Sequence, residues 1–328
     1  MYSNPDNFNK LKQAFFNTFK LKSTKCLEPT ETCSDPLIDS HSIQDSRILE
    51  KLAKDHHVIH ITFDKSCVSK SSIGNIIEPS CKYESISVHK ASVFVGLCNK
   101  HDTEIFRPID TEDLDMDNIE HVFLLTYRSV LKELSSSMSA ATMNQSMYLS
   151  KVEMGETPGD SFSLDGLLPV LLFEKSYIFY QYKKLFDEDY LSKNYDNIAW
   201  KYIILDNSPT FATSSVFTPV EMATNMDVPE RLCINVFPYK GKTYVLFSCR
   251  KEDEQCLSNY IEEVLRTGGE YQKYLISKIV LRNCENTVFS PTYFADWSEE
   301  KKNDILEYFK KTLKSDLVGY ENPNLYLF

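Results

Sequence analysis

The sequence predicts an α+β protein in two parts: an N-terminal module over residues 1–115 and a larger, helix-rich α+β body over 116–328. Three observations predict it. All seven His, and five of the nine Cys, lie at or before position 121, so the side chains that move protons or bind metals are N-terminal. Apolar residues then recur at 119, 123, 127, 130, 131 and 134, the spacing of one helix face. Further on, two β-rich runs, 232–239 and 242–249, flank Lys240-Gly241 as the arms of a hairpin flank its turn.

The elements follow in order. Ser46–Lys54 reads as a helix, His57–Phe63 as a strand, Ala91–Leu97 as a strand and 99–106 as a helix. The body opens with a helix over 119–135, and SSSMSAATMNQS (135–146) reads as a loop or an open helix end. A second long helix is expected over 168–188, then strands at 199–205 and 216–220 and the hairpin over 232–249. Three C-terminal helices complete the chain. The first, 253–266, is expected to be capped by Gly268-Gly269. The second spans 270–283; the third, 298–314, has Ser298 as N-cap and Glu299 and Glu300 in its first turn.

Bulk properties narrow the function classes. A chain of 328 residues with 42% apolar and 25% charged residues can bury a real core. Frequent Tyr and Phe and only 9 Gly argue against disorder and against a Gly-rich repeat. A net charge of −11 argues against coating nucleic acid, because phosphate binding draws on Lys and Arg. The charge is uneven: residues 1–25 carry five Lys against one Asp, a basic arm, whereas 102–120 carry eight acids against one Arg. The N-terminus MYSNPDNFNK lacks the layout of a signal peptide, and the most apolar run, LLPVLLF (167–173), is far below the roughly 18–20 residues that span a bilayer. A cytoplasmic protein without a membrane partner is expected, its Cys serving as free thiols or metal ligands.

Two spaced pairs stand out. Cys26 and Cys33 form a C-x6-C pair in a loop rich in Pro, Thr and Glu. Cys98 and His101 form a C-x2-H pair where a strand-like run meets a helix start, so both side chains project to one side. Zinc favours tetrahedral S/N ligation, often assembled from two such pairs. His56, His57 and His60 read instead as a polar face beside a core strand. Ser214 and Ser215 lie in no nucleophile motif, and SPTFATSSVFTP (208–219) resembles no phosphate loop.

Between the pairs stands PLIDSHSIQ (36–44). Asp39-Ser40-His41 and Leu97-Cys98-Asn99-Lys100-His101 together resemble the HNH endonucleases over roughly residues 24–108. The Cys…Cys…HSIQ…CxxHD layout also resembles uncharacterised bacterial proteins. The HNH resemblance implies a treble-clef zinc scaffold carrying a ββα-metal hairpin. It implies Cys26, Cys33, Cys98 and His101 as ligands of a structural Zn2+ and His41 as general base. Asp39 or Asp102 would then hold a catalytic Mg2+ or Mn2+. The sequence departs from the family: Ser40 separates Asp39 from His41, Asn99 falls inside the final pair rather than before it, and about fifty residues replace a short hairpin turn. The expectation drawn is a metal-dependent endonuclease acting on DNA, with a role in bacterial antiviral defence. The alternative is a non-catalytic, zinc-stabilised protein that binds a protein partner or senses a ligand. Oligomeric state is not legible.

Overall fold

In the computed structural model, residues 10, 25–70, 77–159, 163–206, 208–221, 229–313, 315 and 319–328 are described, with side chains at 45, 65–70, 77–79 and 164 excepted. The basic arm expected within residues 1–25 lies almost entirely outside them.

The protein is α+β, as expected. Strand β1 (Leu37–His41) pairs antiparallel with a strand far along the chain, and the connection between them is not a loop. It holds a helical turn over 45–52 and a long hairpin of β2 (His57–Lys70) and β3 (Ile77–Ser87). β4 (Val93–Cys98) then returns beside β1 and leads without a break into helix α1 (Asn99–Thr111). Cys98, extended at φ −81° and ψ 163°, is the N-cap residue of that helix.

Helix α2 (Ile119–Glu153) begins at Asn118, whose side chain accepts the Glu120 N–H at 3.0 Å. It continues through 135–146, correcting the expected loop or open helix end. Ser-rich sequence has modest helix propensity, but pairing along a neighbouring helix overrides it. That neighbour is α3 (Leu164–Ser192), capped at its start by Ser163 and ended by Lys193 in the left-handed region at φ 53°.

β5 (Ile198–Leu205), β6 (Phe211–Phe217), β7 (Leu232–Tyr239), β8 (Lys242–Arg250) and β9 (Thr287–Phe289) complete an antiparallel seven-stranded sheet in the order β3-β2-β9-β6-β7-β8-β5. β6 starts five residues earlier than expected, because the Thr and Ser in FATSSVF hide a strand that is buried throughout. The β7–β8 turn is as expected: Lys240 and Gly241 have φ of 49° and 75°, the geometry that matches strand twist in a two-residue hairpin.

Helices α4 (Glu254–Tyr260) and α5 (Glu262–Arg266) replace the single helix expected over 253–266. Thr267, extended, ends the second, so Gly268-Gly269 does not cap it. Gly268 instead precedes α6 (Gly269–Asn283) as its N-cap residue. α7 (Glu299–Thr312) is capped by Ser298 as expected, its hydroxyl accepting the Lys301 N–H at 3.1 Å.

The sheet is covered on both faces, which explains why β6 and β7 are buried at every residue. Ala212, Cys233 and Phe237 face a core built with α1, α2 and α3. Ile234, Val236 and Phe247 face a second core built with α4 to α7. The first core runs from Cys26 to Val288, and the β2–β3 hairpin extends the body's sheet. The segments on either side of position 115 therefore share one sheet and one core. Among the described residues, no helix is long and apolar enough to cross a membrane.

Candidate metal centre

The loop from Cys26 to Cys33 is pinned to β4 by the Leu27 N–H, which donates to Gly96 O at 2.7 Å. Gly96 permits this approach: a Cβ there would stand 3.0 Å from the Phe94 ring and 3.4 Å from Leu27 Cδ1. The loop thereby lies over the end of β4, where Cys98 and His101 present the other pair.

One ligand atom from each of Cys26, Cys33, Cys98 and His101 lies within 4.8 Å of all the others. Cys33 Sγ is 3.7 Å from Cys98 Sγ, Cys98 Sγ is 3.2 Å from His101 Nδ1, and Cys26 Sγ is 3.6 Å from His101 Nδ1. A tetrahedral zinc with bonds of about 2.3 Å to sulfur and about 2.0–2.1 Å to nitrogen sets ligand atoms roughly 3.5–3.8 Å apart. The cluster has that size, and three sulfurs with one imidazole form the soft donor set that zinc takes. The group can therefore hold a metal ion. Two sulfurs also accept backbone N–H groups, Cys26 from Cys98 at 3.3 Å and Cys33 from Asp35 at 3.4 Å. Such contacts orient ligands and offset thiolate charge. Burial pushes the Cys26 thiol up to about 11, and the neighbouring Cys98 and Cys33 add to this. A bound dication reverses that preference by binding the thiolate.

Glu28 is a site residue that the sequence did not single out. Burial opposes its charge, but the Thr30 hydroxyl and the N–H groups of Thr30, Cys33 and Thr32 outweigh burial and bring the carboxyl down to about 2. The Thr30 and Thr32 N–H groups lie 2.7 and 2.6 Å from its oxygens. The carboxylate thus shapes the loop that aims Cys26 and Cys33. Nothing in LEPTET distinguishes it from Glu31, which instead ties the loop to α3 through Tyr180 and, at 3.1 Å, Lys184. Glu28→Gln should lower the stability of the full protein by about 2 kcal/mol, the scale of lost charge-assisted hydrogen bonds. Because the folded carboxyl titrates below its ordinary value of 4.5, this contribution is present above that pH and disappears as pH falls toward 2. Thermal melts of both proteins across pH check it: the gap should be widest above pH 5 and close in acid.

The HSIQ segment is engaged by the chain itself. His41 Nδ1–H donates to Ala91 O at 3.1 Å. Ser42 N–H donates to Ser92 O at 2.9 Å, and Ile43 N–H to Ser92 Oγ at 2.8 Å, while the Ile43 side chain is buried in the core. Gln44 Nε2 and Arg47 Nη1 each reach Asp110 O at 3.2 Å. Asn286 Nδ2 reaches Ser42 Oγ at 2.8 Å. The segment fastens β1 to the start of β4, to the end of α1 and to the chain before β9.

Asp39 and His41 alternate with Ser40 along β1, so they leave the strand on the opposite face from it. Ser40 is buried and Asp39 exposed. Asp102, in the first turn of α1, lies near Arg128, Ser40, Asp110 and His41; burial raises its carboxyl, and Arg128 works against the rise. It is not among the four clustered ligands. Arg128 itself makes a bidentate pair with Asp110 at 2.9 and 2.7 Å.

His56, His57 and His60 do not converge. His56 pairs with Glu50 at 2.9 Å, His57 with Asp55 O at 2.7 Å, and His60 sits 4.0 Å from Glu84. Ser214 and Ser215 belong to a buried polar seam between α2 and the sheet. Ser214 meets Ser129 at 2.8 Å, and Ser215 donates to Glu133 and to Asn283 O at 3.1 Å each. Burial pushes the adjoining Cys233 and Cys284 thiols up to about 11 and about 12, so both stay protonated and inert at neutral pH. A scan against protein-family models and searches of curated proteins and of solved structures find no match to this chain.

Proposed function

We propose that Cys26, Cys33, Cys98 and His101 bind one structural Zn2+, closing a treble-clef-like unit of loop, β1–β4 ribbon and helix α1, and that this unit is non-catalytic. On this reading the protein acts by binding a partner through a body that the zinc unit holds rigid. The observation that carries it is the HSIQ segment: His41 Nδ1, Ile43 N–H, Gln44 Nε2 and Arg47 Nη1 are bonded to the chain's own backbone and side chains. They act as a clasp, with zinc as a second clasp at the other end of the same ribbon. The test is metal content of the purified protein by elemental analysis, with about one zinc per chain expected. Zinc-free protein that melts at the same temperature would overturn the reading.

A second reading is supported by the ββα order of β1, β4 and α1. A His41 ring that donates Nδ1–H to Ala91 O keeps its other nitrogen as the acceptor when neutral, which is the tautomer that a general base needs. In this reading Asp39 or Asp102 holds Mg2+ or Mn2+ and the substrate is DNA. Asp39 and His41 leave β1 on the same face, and Asp102 lies near His41. Incubation of zinc-loaded protein with supercoiled DNA and Mg2+ or Mn2+ separates the readings. The structural reading expects no nicking, and expects His41→Ala to keep its zinc while losing about 1 kcal/mol of stability. Nicking by the wild type that vanishes in His41→Ala, with zinc retained, would establish the nuclease instead.

A further inference from the structure

The outer half of the α2–α3 hairpin combines an apolar sequence with an exposed position. Up to Ser135, α2 is buried at nearly every residue; beyond it most positions are half-buried or exposed. α3 meets the body from about Phe179, where that ring and Tyr182 hold the Arg231 guanidinium at 5.1 and 4.8 Å. Between these points the two helices pack on each other, through Ser137 and Ser176 at 2.9 Å, a buried Ala141 and the Lys151–Asp165 ion pair.

On the outer half of α3, Leu167, Leu168, Val170, Leu171, Phe173 and Tyr177 are each between 42% and 63% exposed. At 100° per residue they cover three sides of the helix, and the side formed by Pro169, Leu172 and Ser176 turns toward α2. No charge interrupts residues 166–173. A helix that is apolar all round is built to be enclosed, and a contiguous exposed patch of this kind marks an interaction site. Among the described residues, α2 is the main element packed against this half of α3.

We propose that a second copy of this chain encloses it, two α2–α3 hairpins packing about a two-fold axis into a four-helix bundle. The area reaches the threshold: the six side chains expose roughly 600 Å² per copy, so their full enclosure buries about 1,200 Å², the lower end of a standard interface. A patch of apolar and aromatic side chains, uncharged over 166–173, is also complementary to itself, as a two-fold contact requires. A lipid surface would call for cations around the patch. Among the described residues beside the patch, Lys151 is paired with Asp165, and Lys175 follows Glu174 in sequence. This interface is independent of the metal site and of either reading of it.

The test is sedimentation velocity of the full chain over a concentration series, beside Leu168→Glu/Leu171→Glu, two exposed positions whose change leaves the hairpin's inner contacts in place. The wild type should be a dimer at about 10 µM, and the double variant should dissociate at least ~100-fold more readily with an unchanged far-UV circular dichroism spectrum. A wild type that stays monomeric to about 100 µM overturns the proposal. So does a dimer that survives the double substitution. A monomer that instead floats with phosphatidylcholine vesicles overturns it in favour of lipid.

Discussion

With zinc bound as proposed at Cys26, Cys33, Cys98 and His101, Cys98→Ser should strip the metal and cost the protein on the order of 10 °C in melting temperature. Cys98 is the hinge of the site: its sulfur lies 3.7 Å from Cys33 Sγ and 3.2 Å from His101 Nδ1, and its own N–H supports Cys26 Sγ at 3.3 Å. Serine is a far poorer zinc ligand, and the free energy of structural zinc binding is folding free energy, up to about 10–16 kcal/mol in small zinc domains. A larger protein retains its other contacts, so the expected loss is several kcal/mol, which for a chain of this size gives the stated shift. Because the first core runs from Cys26 to Val288, the damage should spread into the body rather than stop near residue 110. Elemental analysis and a thermal melt of the variant check both parts. Full zinc content with an unchanged melt would show that Cys98 is only a buried thiol.

Asp187→Ala should destabilise the protein by about 3–5 kcal/mol, because it strands a buried cation. Lys183 on α3 is wholly buried, and its ammonium sits 2.8 Å from Asp187 Oδ2 one turn on. The Tyr127 hydroxyl donates to Asp187 Oδ1 at 2.6 Å, locking α2 to α3. Burial lowers the Lys183 ammonium and raises the Asp187 carboxyl, so each charge depends on the other. The pair should therefore behave as a unit: Lys183→Met with Asp187→Leu should cost far less than Asp187→Ala alone, since replacing both charges with apolar groups removes the desolvation penalty. Chemical denaturation of the single and double variants measures the difference. Additive losses would show that the two residues are not coupled.

Local patterns were legible. The C-x6-C and C-x2-H pairs pointed to a candidate ligand set because a helix start fixes the relative direction of Cys98 and His101, and the structure brings four atoms that could hold a metal together. The helix over 119–135, the hairpin around Lys240-Gly241 and the Ser298 cap were likewise written in spacing and in side chains that bond their own neighbours. What the sequence by itself determined is thus whatever depends on residues a few positions apart.

Only the tertiary structure decided the rest. The 42–92 insert carries β2 and β3, and the pairing of Ile59 with Phe289 makes them part of the body's sheet, a contact no local pattern encodes. Thr213, Ser214 and Ser215 occupy a buried strand because partners on α2, β9 and the end of α6 satisfy their hydroxyls across long sequence separations. Residues 135–146 are helical because α3 lies alongside. Glu28 and the HSIQ segment acquire their roles from backbone groups that folding delivers: the former from its own loop, the latter from Ala91, Ser92 and Asp110. A polar side chain in a sequence reads the same whether it will face water, metal or a carbonyl. The choice is made by the free-energy cost of burying it unpaired, and that cost is set only once distant segments have met.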